Sequence, residues 1–361
     1  AFTLERLSES DTAEIIQSSF PGIEISELVV KRIYKETGGN TLFVNALLST
    51  LQECGDIYKS EGTWRIKKIE EIDMPTSIKD AIIGRFSRLS DEQKKILQVA
   101  SVIGEDFDYN ILANVLEMSE DMLVDNLDFL VKSRMIREVP KAVGCYRFDH
   151  SKIQEAIYSE LTGMRKKITH RKIAEVLEEE YKANISEVAG RLAKHYQNAL
   201  NYEKASEYAI IAGDKAQLAY SPEEAVNYYS IALSGLDKFE PTLANKDSKM
   251  KLVDKMAYMY YLVGEWDQSI DFTNLAMKLG VETKNEMQVA EAYKDLGIIH
   301  IPKAEYDKAL ENLQASLKIS EKINDVRSIA EAHYWSGTAY WRTGKLDEAA
   351  RHLAQCLSAC E

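Results

Sequence analysis

The residue types that carry chemistry are few in this chain, and they are scattered. There are six histidines and four cysteines. His170, His195, His300, His333 and His352 show no H-E-x-x-H or other metal-ligand spacing. Cys54, Cys145, Cys356 and Cys360 lack the paired spacing of a zinc site. No serine or cysteine stands in a nucleophile–base pattern, so no catalytic residue and no metal ligand is assigned. The P-loop, G-x-x-x-x-G-K-[ST], cradles phosphate with backbone amides and holds Mg through a hydroxyl. Its nearest approach is Thr343-Gly344-Lys345, but Ala339 occupies the first glycine position and Leu346 follows the lysine. Mg-ATP chemistry therefore has no site here, and the chain by itself is expected to catalyse nothing.

The elements that would position any binding residue are mostly helices. The 361 residues exceed one ordinary domain and suggest two or three. With 45% hydrophobic residues, real cores can form, while 17 Gly and 6 Pro leave little for the turns of an all-β fold. The charge is −13, from 45 Lys+Arg and 58 Asp+Glu. That surplus of acid argues against nucleic acid or an anionic membrane as the main partner. No apolar run approaches the ~18 residues of a membrane span, and no secretory signal opens the chain. Cys356 and Cys360, four apart in a helical pattern, suit two small buried side chains better than a disulfide. A reduced, cytoplasmic protein is expected. The chain opens on Ala-Phe-Thr rather than Met, which suggests a fragment with an earlier part missing.

Residues 1–73 read as three helices and a hairpin. The first helix follows Ser8-Glu9-Ser10-Asp11, a source of N-cap oxygens, and carries Ile15, Ile16 and Phe20. The second, from about Ile25 to Lys35, stops at Gly38-Gly39. Asn40 can cap a third, Thr41 to Leu51. Ile57-Tyr58 and Trp64-Arg65-Ile66 flank a turn at Ser60-Glu61-Gly62. Residues 74–182 open at Pro75-Thr76-Ser77. A helix with Ile78, Ile82, Ile83 and Phe86 follows, then one started by the capping box Ser90–Gln93 and ended by Gly104. Helices over Tyr109–Leu116 and Glu120–Lys132 precede two short β runs, 135–139 and 145–148, joined through Lys141-Ala142-Val143-Gly144. Three helices and then a hairpin is the order of a winged-helix domain. Amphipathic helices follow Asp149-His150-Ser151 and cover His170–Tyr181.

Residues 183–361 repeat. Gly264-Glu265-Trp266-Asp267, Ala304-Glu305-Tyr306-Asp307 and Gly344-Lys345-Leu346-Asp347 recur every 40 residues. Ala257, Gly297 and Gly337 recur in phase, as do Ser269, Ala309 and Ala349. Small residues at a fixed period mark helix crossings in a solenoid. Two less regular units are read around Ala193-Tyr196-Ala205 and Gly213-Ala225.

These repeats resemble tetratricopeptide (TPR) units, with a period of 40 in place of about 34. Gly337-Tyr340-Ala349 fits the frame fully, and Gly297-His300-Ala309 fits with His for the aromatic. The first half resembles the STAND class of AAA+-related signal-transduction ATPases, large bacterial ATP-dependent regulators. Thr37-Gly38-Gly39-Asn40-Thr41-Leu42-Phe43-Val44 is similar to their T-G-G-N-P-L-F-V segment. Pro75–Ile78, Ile83–Ser90 and Ala100–Gly104 are similar to the start of their winged helix, and Tyr146–His150 to the F-x-H element after the wing. The resemblance covers nearly the whole chain. It implies a mainly α fold: a helical lid, a winged-helix domain with a small β-hairpin, and a TPR-like right-handed α-solenoid.

The resemblance also implies roles. Gly39, Asn40 and Thr41 would pack near a nucleotide held by an upstream ATPase core absent from this chain. Gly and Asn also explain that joint as a purely structural helix–turn–helix, and Thr41 replaces the usual Pro. His150 would reach the ADP phosphate as a sensor, or simply cap its helix; Ser151 stands where many relatives carry Asp. ATP or ADP with Mg is expected for the full-length protein and no cofactor for this chain. By TPR phase, positions −3, +1 and +4 from each small residue face the groove. These are Asp254, Tyr258 and Tyr261, then Lys294, Ile298 and Ile301, then Tyr334, Thr338 and Trp341. Some of these would instead pack between helices.

The helix that would enter a DNA groove carries Glu120, Asp121, Asp125 and Asp128, with no basic residue before Lys132. Repulsion by phosphate makes it a protein-packing module, and no nucleic acid is expected. The leading expectation is the regulatory and sensor portion of a STAND-type ATPase. Its lid and winged helix would clamp on the core and hold it closed, and its TPR array would bind a protein or small-molecule inducer and bias opening and self-association. A stand-alone TPR adaptor is the alternative, and a winged-helix transcription regulator stands third.

Overall fold

The structure is a computed structural model that describes residues 7–60, 62–67, 78–140 and 143–360. Glu61 of the first hairpin, Pro75-Thr76-Ser77 and Lys141-Ala142 lie outside the described residues, as do the first six positions. The protein is mainly helical, and the chain divides into two compact units, 1–176 and 177–361. The segments expected as lid and winged helix share the first unit, and the second begins six residues before the boundary expected at 183.

In the first unit, α1 (Glu9–Ser19) starts at a capping box: Asp11 N–H donates to the Ser8 hydroxyl while the Asp11 carboxylate accepts from Ser8 N–H. The second helix, α2 (Glu27–Thr37), ends at Gly38, which adopts the left-handed conformation at φ 55°. Asn40 caps α3 (Thr41–Glu53) by accepting from Phe43 N–H at 3.1 Å. A two-stranded antiparallel hairpin follows, β1 (Ile57–Ser60) and β2 (Thr63–Ile66), with Ile57 opposite Ile66. Ile16, Ile33, Leu47, Leu51 and Ile57 form one core between these elements.

Next come α4 (Ile78–Ser87) and α5 (Asp91–Ile103), the latter started by the Ser90–Gln93 box. The chain continues through β3 (Asp106–Asp108), α6 (Tyr109–Leu116), α7 (Glu120–Lys132), β4 (Ile136–Glu138) and β5 (Cys145–Phe148). The sheet is antiparallel with order β3-β5-β4. Three helices and a three-stranded sheet thus stand where the sequence suggests three helices and a hairpin. The added strand, Asp106-Phe107-Asp108, is too short to show period-2 alternation. It buries only Phe107, whose ring lies 5.6 Å from that of fully buried Phe148. Helices α8 (Ser151–Glu160) and α9 (Gly163–Glu180) complete the segment.

One buried side chain ties these parts of the first unit together. Arg85, in α4, is 6% exposed; its Nε donates to Glu53 of α3 at 3.0 Å and its Nη2 to the Ser133 carbonyl after α7. Its fork satisfies a carboxylate and the carbonyl at the C-terminal end of α7 at once.

The second unit contains α10 (Ile185–Asn198), α11 (Tyr202–Leu218), α12 (Pro222–Leu236) and three antiparallel pairs. The pairs are α13 (Leu243–Val263) with α14 (Trp266–Glu282), α15 (Glu286–His300) with α16 (Tyr306–Ile323), and α17 (Val326–Arg342) with α18 (Leu346–Cys360). The turns between them hold two to five residues, so the six residues beyond a 34-residue period lengthen helices, not loops. The two irregular units share a helix, because α11 packs on both α10 and α12. The small positions are crossings: a Cβ on Gly297 would stand 2.6 Å from Leu313 Cγ, and one on Gly337 2.9 Å from Leu353 Cγ. At the head of this unit Glu178 accepts from Lys204 Nζ at 2.7 Å and from the hydroxyls of Tyr196 and Tyr208. Burial works against its charge, but these donors hold its carboxyl below the usual range.

Candidate functional site in the repeat array

The first helix of each regular pair, α13, α15 and α17, brings the expected groove positions onto neighbouring helices. The row Asp254, Lys294 and Tyr334 is the most informative. Asp254 accepts from Gln288 Nε2 at 3.3 Å. Lys294 donates to Glu331 Oε2 at 2.7 Å and lies 3.9 Å from Asp295. Glu331 also accepts from Arg327 Nε at 2.9 Å. A further rung joins Lys255 of α13 to Asp214 of α11 at 2.6 Å. Ion pairs and an amide–carboxylate hydrogen bond thus form a polar ladder between helices of successive repeats.

The ladder holds more acid than base, and its electrostatics follow from that. Burial pushes the Asp254 carboxyl up, and Glu291 adds to the rise. Burial also lifts Asp295, to about 7, aided by Asp254, Glu291 and Glu331 and opposed by Lys294. For Lys294 burial disfavours the ammonium, but Asp295, Glu331 and Glu291 outweigh it and leave its pKa raised. Asp254 and Lys294 are therefore parts of the groove's framework as much as ligand groups.

Tyr258, Tyr334 and Trp341 are exposed. The Tyr334 ring meets Trp335 edge-on at 5.2 Å, and the Arg342 guanidinium lies 5.3 Å from the Trp341 ring. Tyr261, Ile298 and Thr338 are half-buried, and the Thr338 hydroxyl is spent on the Tyr334 carbonyl at 3.0 Å. Ile301 is buried against Ala309 and Ala339, so it packs between repeats rather than facing a ligand. An open cleft of about 630 Å³ beside Tyr334 is lined by Val326, Arg327, Glu331 and Cys356 among others. Cys356 is only half-buried there, which corrects the expectation of a buried side chain; the Cys360 side chain lies outside the described residues.

The residues read as nucleotide-sensing lie in the first unit and are joined by no hydrogen bond among the described residues. Gly39 is occupied by the chain itself: a Cβ there would stand 2.3 Å from the Leu7 carbonyl, and its own carbonyl accepts from Leu7 N–H at 3.0 Å. Asn40 is used as the α3 cap, and Thr41 is exposed. Gly39 and Asn40 thus have structural partners within the α2–α3 joint. His150 is the exposed N-cap of α8; its Nδ1 accepts from Lys152 N–H at 3.2 Å. In the neutral ring that bond leaves Nε2 as a hydrogen-bond donor, which fits an anion.

The structure also joins residues that their spacing kept apart. His333 Nδ1 and His352 Nδ1 are 3.0 Å apart, and burial lowers both pKa values. His170 meets the Tyr158 hydroxyl at 3.1 Å, and burial lowers it to about 4, so it is neutral at physiological pH. Among the described residues no three His, Cys, Asp or Glu side chains could hold a metal ion, and no helix is long and apolar enough to cross a membrane.

Residues 288–361 match the tetratricopeptide repeat family. The chain is 28% identical over 138 residues to response regulator aspartate phosphatase I of Bacillus subtilis, covering 38% of this chain and 34% of that protein. It is 26% identical over 118 residues to hybrid signal transduction histidine kinase G of Dictyostelium discoideum, 32% of this chain and 3% of the kinase. The chain thus spans no more than about a third of these curated relatives. Among solved structures, a signal transduction ATPase with numerous domains and a TPR sensor from Pyrococcus horikoshii aligns over 96% of this chain and 66% of its own. Its identity is 14% and its TM-score 0.31. Aspartyl phosphate phosphatase F of Bacillus subtilis aligns over 91% and 74%, at 10% identity and a TM-score of 0.42. The C-terminal part of the chain is a TPR-type interaction module.

Proposed function

We propose that this chain is the regulatory and sensor portion of a STAND-type signalling ATPase. The groove of α13, α15 and α17 would receive a protein or small-molecule inducer, and the first unit would engage a nucleotide-binding core outside this chain. The observation that carries the sensing role is the charged ladder across successive repeats with aromatics left exposed beside it. Exposed tyrosine and tryptophan supply rigid anchors for a partner, and a preformed ion-pair floor costs little ordering on binding. Support for the core-engaging role is the order of elements in the first unit together with the exposed His150 cap. Within that reading His150 offers an Nε2 donor to an anion, while Gly39 and Asn40 only shape the α2–α3 joint. ATP or ADP with Mg would supply phosphoryl chemistry on the core, and this chain would carry no catalysis of its own. The reading makes the parent protein cytoplasmic and this chain a partner of neither nucleic acid nor membrane.

The reading frame upstream of Ala1 supplies the test. A P-loop core encoded there, co-purifying with this chain in ADP and released in ATP, is the expected result, with His150→Ala weakening the ADP-bound complex. An initiator codon at that point overturns the reading. So does ATP hydrolysis by this chain alone that falls when its own residues are changed. A stand-alone TPR adaptor is then the better account, because the family match is confined to the repeats.

A further inference from the structure

Two helices, α7 and α9, expose unlike faces that no described residue covers. On α7, Asp121, Asp125 and Asp128 fall within an arc of roughly 60° at 100° per residue. Phe129 and Met122, 47% and 48% exposed, border that stripe on one side and Val124, 44% exposed, on the other. No ion pair or hydrogen bond among the described residues uses these three carboxylates. On α9 the opposite pattern appears. Met164, 65% exposed, and Ile168 form an apolar stripe. Lys167 and Arg171 border it on one side, Arg165 and Lys172 on the other, within an arc of roughly 160°. Lys172 reaches Glu117 at 3.2 Å and Arg171 lies 3.8 Å from Glu175, both pairs solvent-exposed and hence weak. Arg165 and Lys167 form no ion pair among the described residues.

An acidic stripe whose only cation is Lys132, in its last turn, raises the free energy of an isolated helix face, and so does a basic stripe, through self-repulsion. Large apolar side chains beside each face add uncovered surface that favours association. The stripes also match in length: Asp121 to Asp128 and Arg165 to Lys172 each span seven steps, roughly 10 Å. We propose that the α7 face of one copy docks on the α9 face of a second copy of this chain. Acid would meet base across the contact, and the methionine, isoleucine and phenylalanine side chains would be buried between. Because each copy carries both faces, a second copy supplies the complement of either one.

Charge swapping on the full chain tests this by sedimentation velocity at about 100 μM protein, a concentration that reveals even weak association. Wild type is expected to self-associate at about 0.05 M salt and roughly tenfold more weakly at about 0.5 M. The triple variant Asp121→Lys/Asp125→Lys/Asp128→Lys and the triple variant Arg165→Glu/Lys167→Glu/Arg171→Glu are each expected to be monomeric. Mixed in equal amounts, they are expected to associate again, because each face then meets one of opposite net charge. Circular dichroism checks that both variants are folded; if either is not, Asp125→Asn and Lys167→Ala are read instead, each expected to weaken association several-fold. Monomeric wild type at low salt overturns the proposal, as does association unchanged by the substitutions or a folded mixture that stays monomeric. A basic face that binds duplex DNA or anionic vesicles while the chain stays monomeric also overturns it.

Discussion

The first unit and the repeat array solve the burial problem with different side chains. The first unit fills its interior with large residues, Ile16, Ile33, Leu47 and Leu51 in one part and Phe107 with Phe148 in another. The array closes its helix crossings with small ones, Ala276, Ala290, Gly297, Ala309 and Ser316. Fully buried tyrosines, Tyr196 and Tyr229, occur in the array where their hydroxyls find carboxylates, Glu178 and Asp214. A core of large side chains is sensitive to loss of volume, and a seam of small ones to its gain. The two regions should therefore fail under opposite substitutions.

The largest effect is expected from truncation in the first unit. Phe148→Ala removes a fully buried ring and should cost about 3–5 kcal/mol. Hydrogen exchange resolved by segment should show lost protection over 91–160 and none over 288–360; equal loss in both would break the comparison. Arg85→Ala should cost roughly 2–3 kcal/mol, because it leaves Glu53 and the Ser133 carbonyl without their shared donor. Arg85→Lys should recover little of it, since an ammonium cannot span both acceptors. Denaturant midpoints of the two variants decide this.

In the array the sign reverses. Gly297→Val adds volume where a Cβ already stands 2.6 Å from Leu313, at an expected cost of roughly 2 kcal/mol. Leu313→Ala in the same chain should restore part of that loss, and a double-mutant cycle without such coupling would count against a tight crossing. Smaller still is Asn40→Ala, which removes a helix cap for about 1 kcal/mol.

The smallest effect tests the groove's electrostatics. Asp295 has its pKa raised in the folded state, so its ionisation opposes folding. That opposition is absent below the ordinary Asp range, grows as pH rises, and is complete above about 7. Asp295→Asn should then raise the melting temperature at pH 8 and leave it nearly unchanged at pH 4. With 37% of the side chain exposed, solvent screening keeps the gain below about 1 kcal/mol. A larger gain at pH 4 than at pH 8 would contradict the carboxylate-rich floor.

Much of this was legible in the residues themselves. Caps at Ser8, Asn40 and Ser90 announce helix starts because each rests on a side-chain oxygen three positions from its partner. The 40-residue recurrence of small residues located the crossings, since only a backbone without bulk lets helices approach there. Other features left no local trace. Strand β3 is three residues long, too short for a period. Repeat phase picks out Asp254 and Lys294, but not their partners Gln288, Asp295 and Glu331.

What the sequence by itself determined, then, is the set of interactions that are local or periodic: caps, turns, amphipathic faces and the repeat frame. Only the tertiary structure decided which distant groups share a site. Arg85 meets Glu53 and Ser133 across 32 and 48 residues, Lys294 meets Glu331 across 37, and His333 meets His352 across 19. The physical reason is that a helix constrains partners three or four positions away. Contacts at longer range depend on how separate elements pack, and no single element's residue order encodes that.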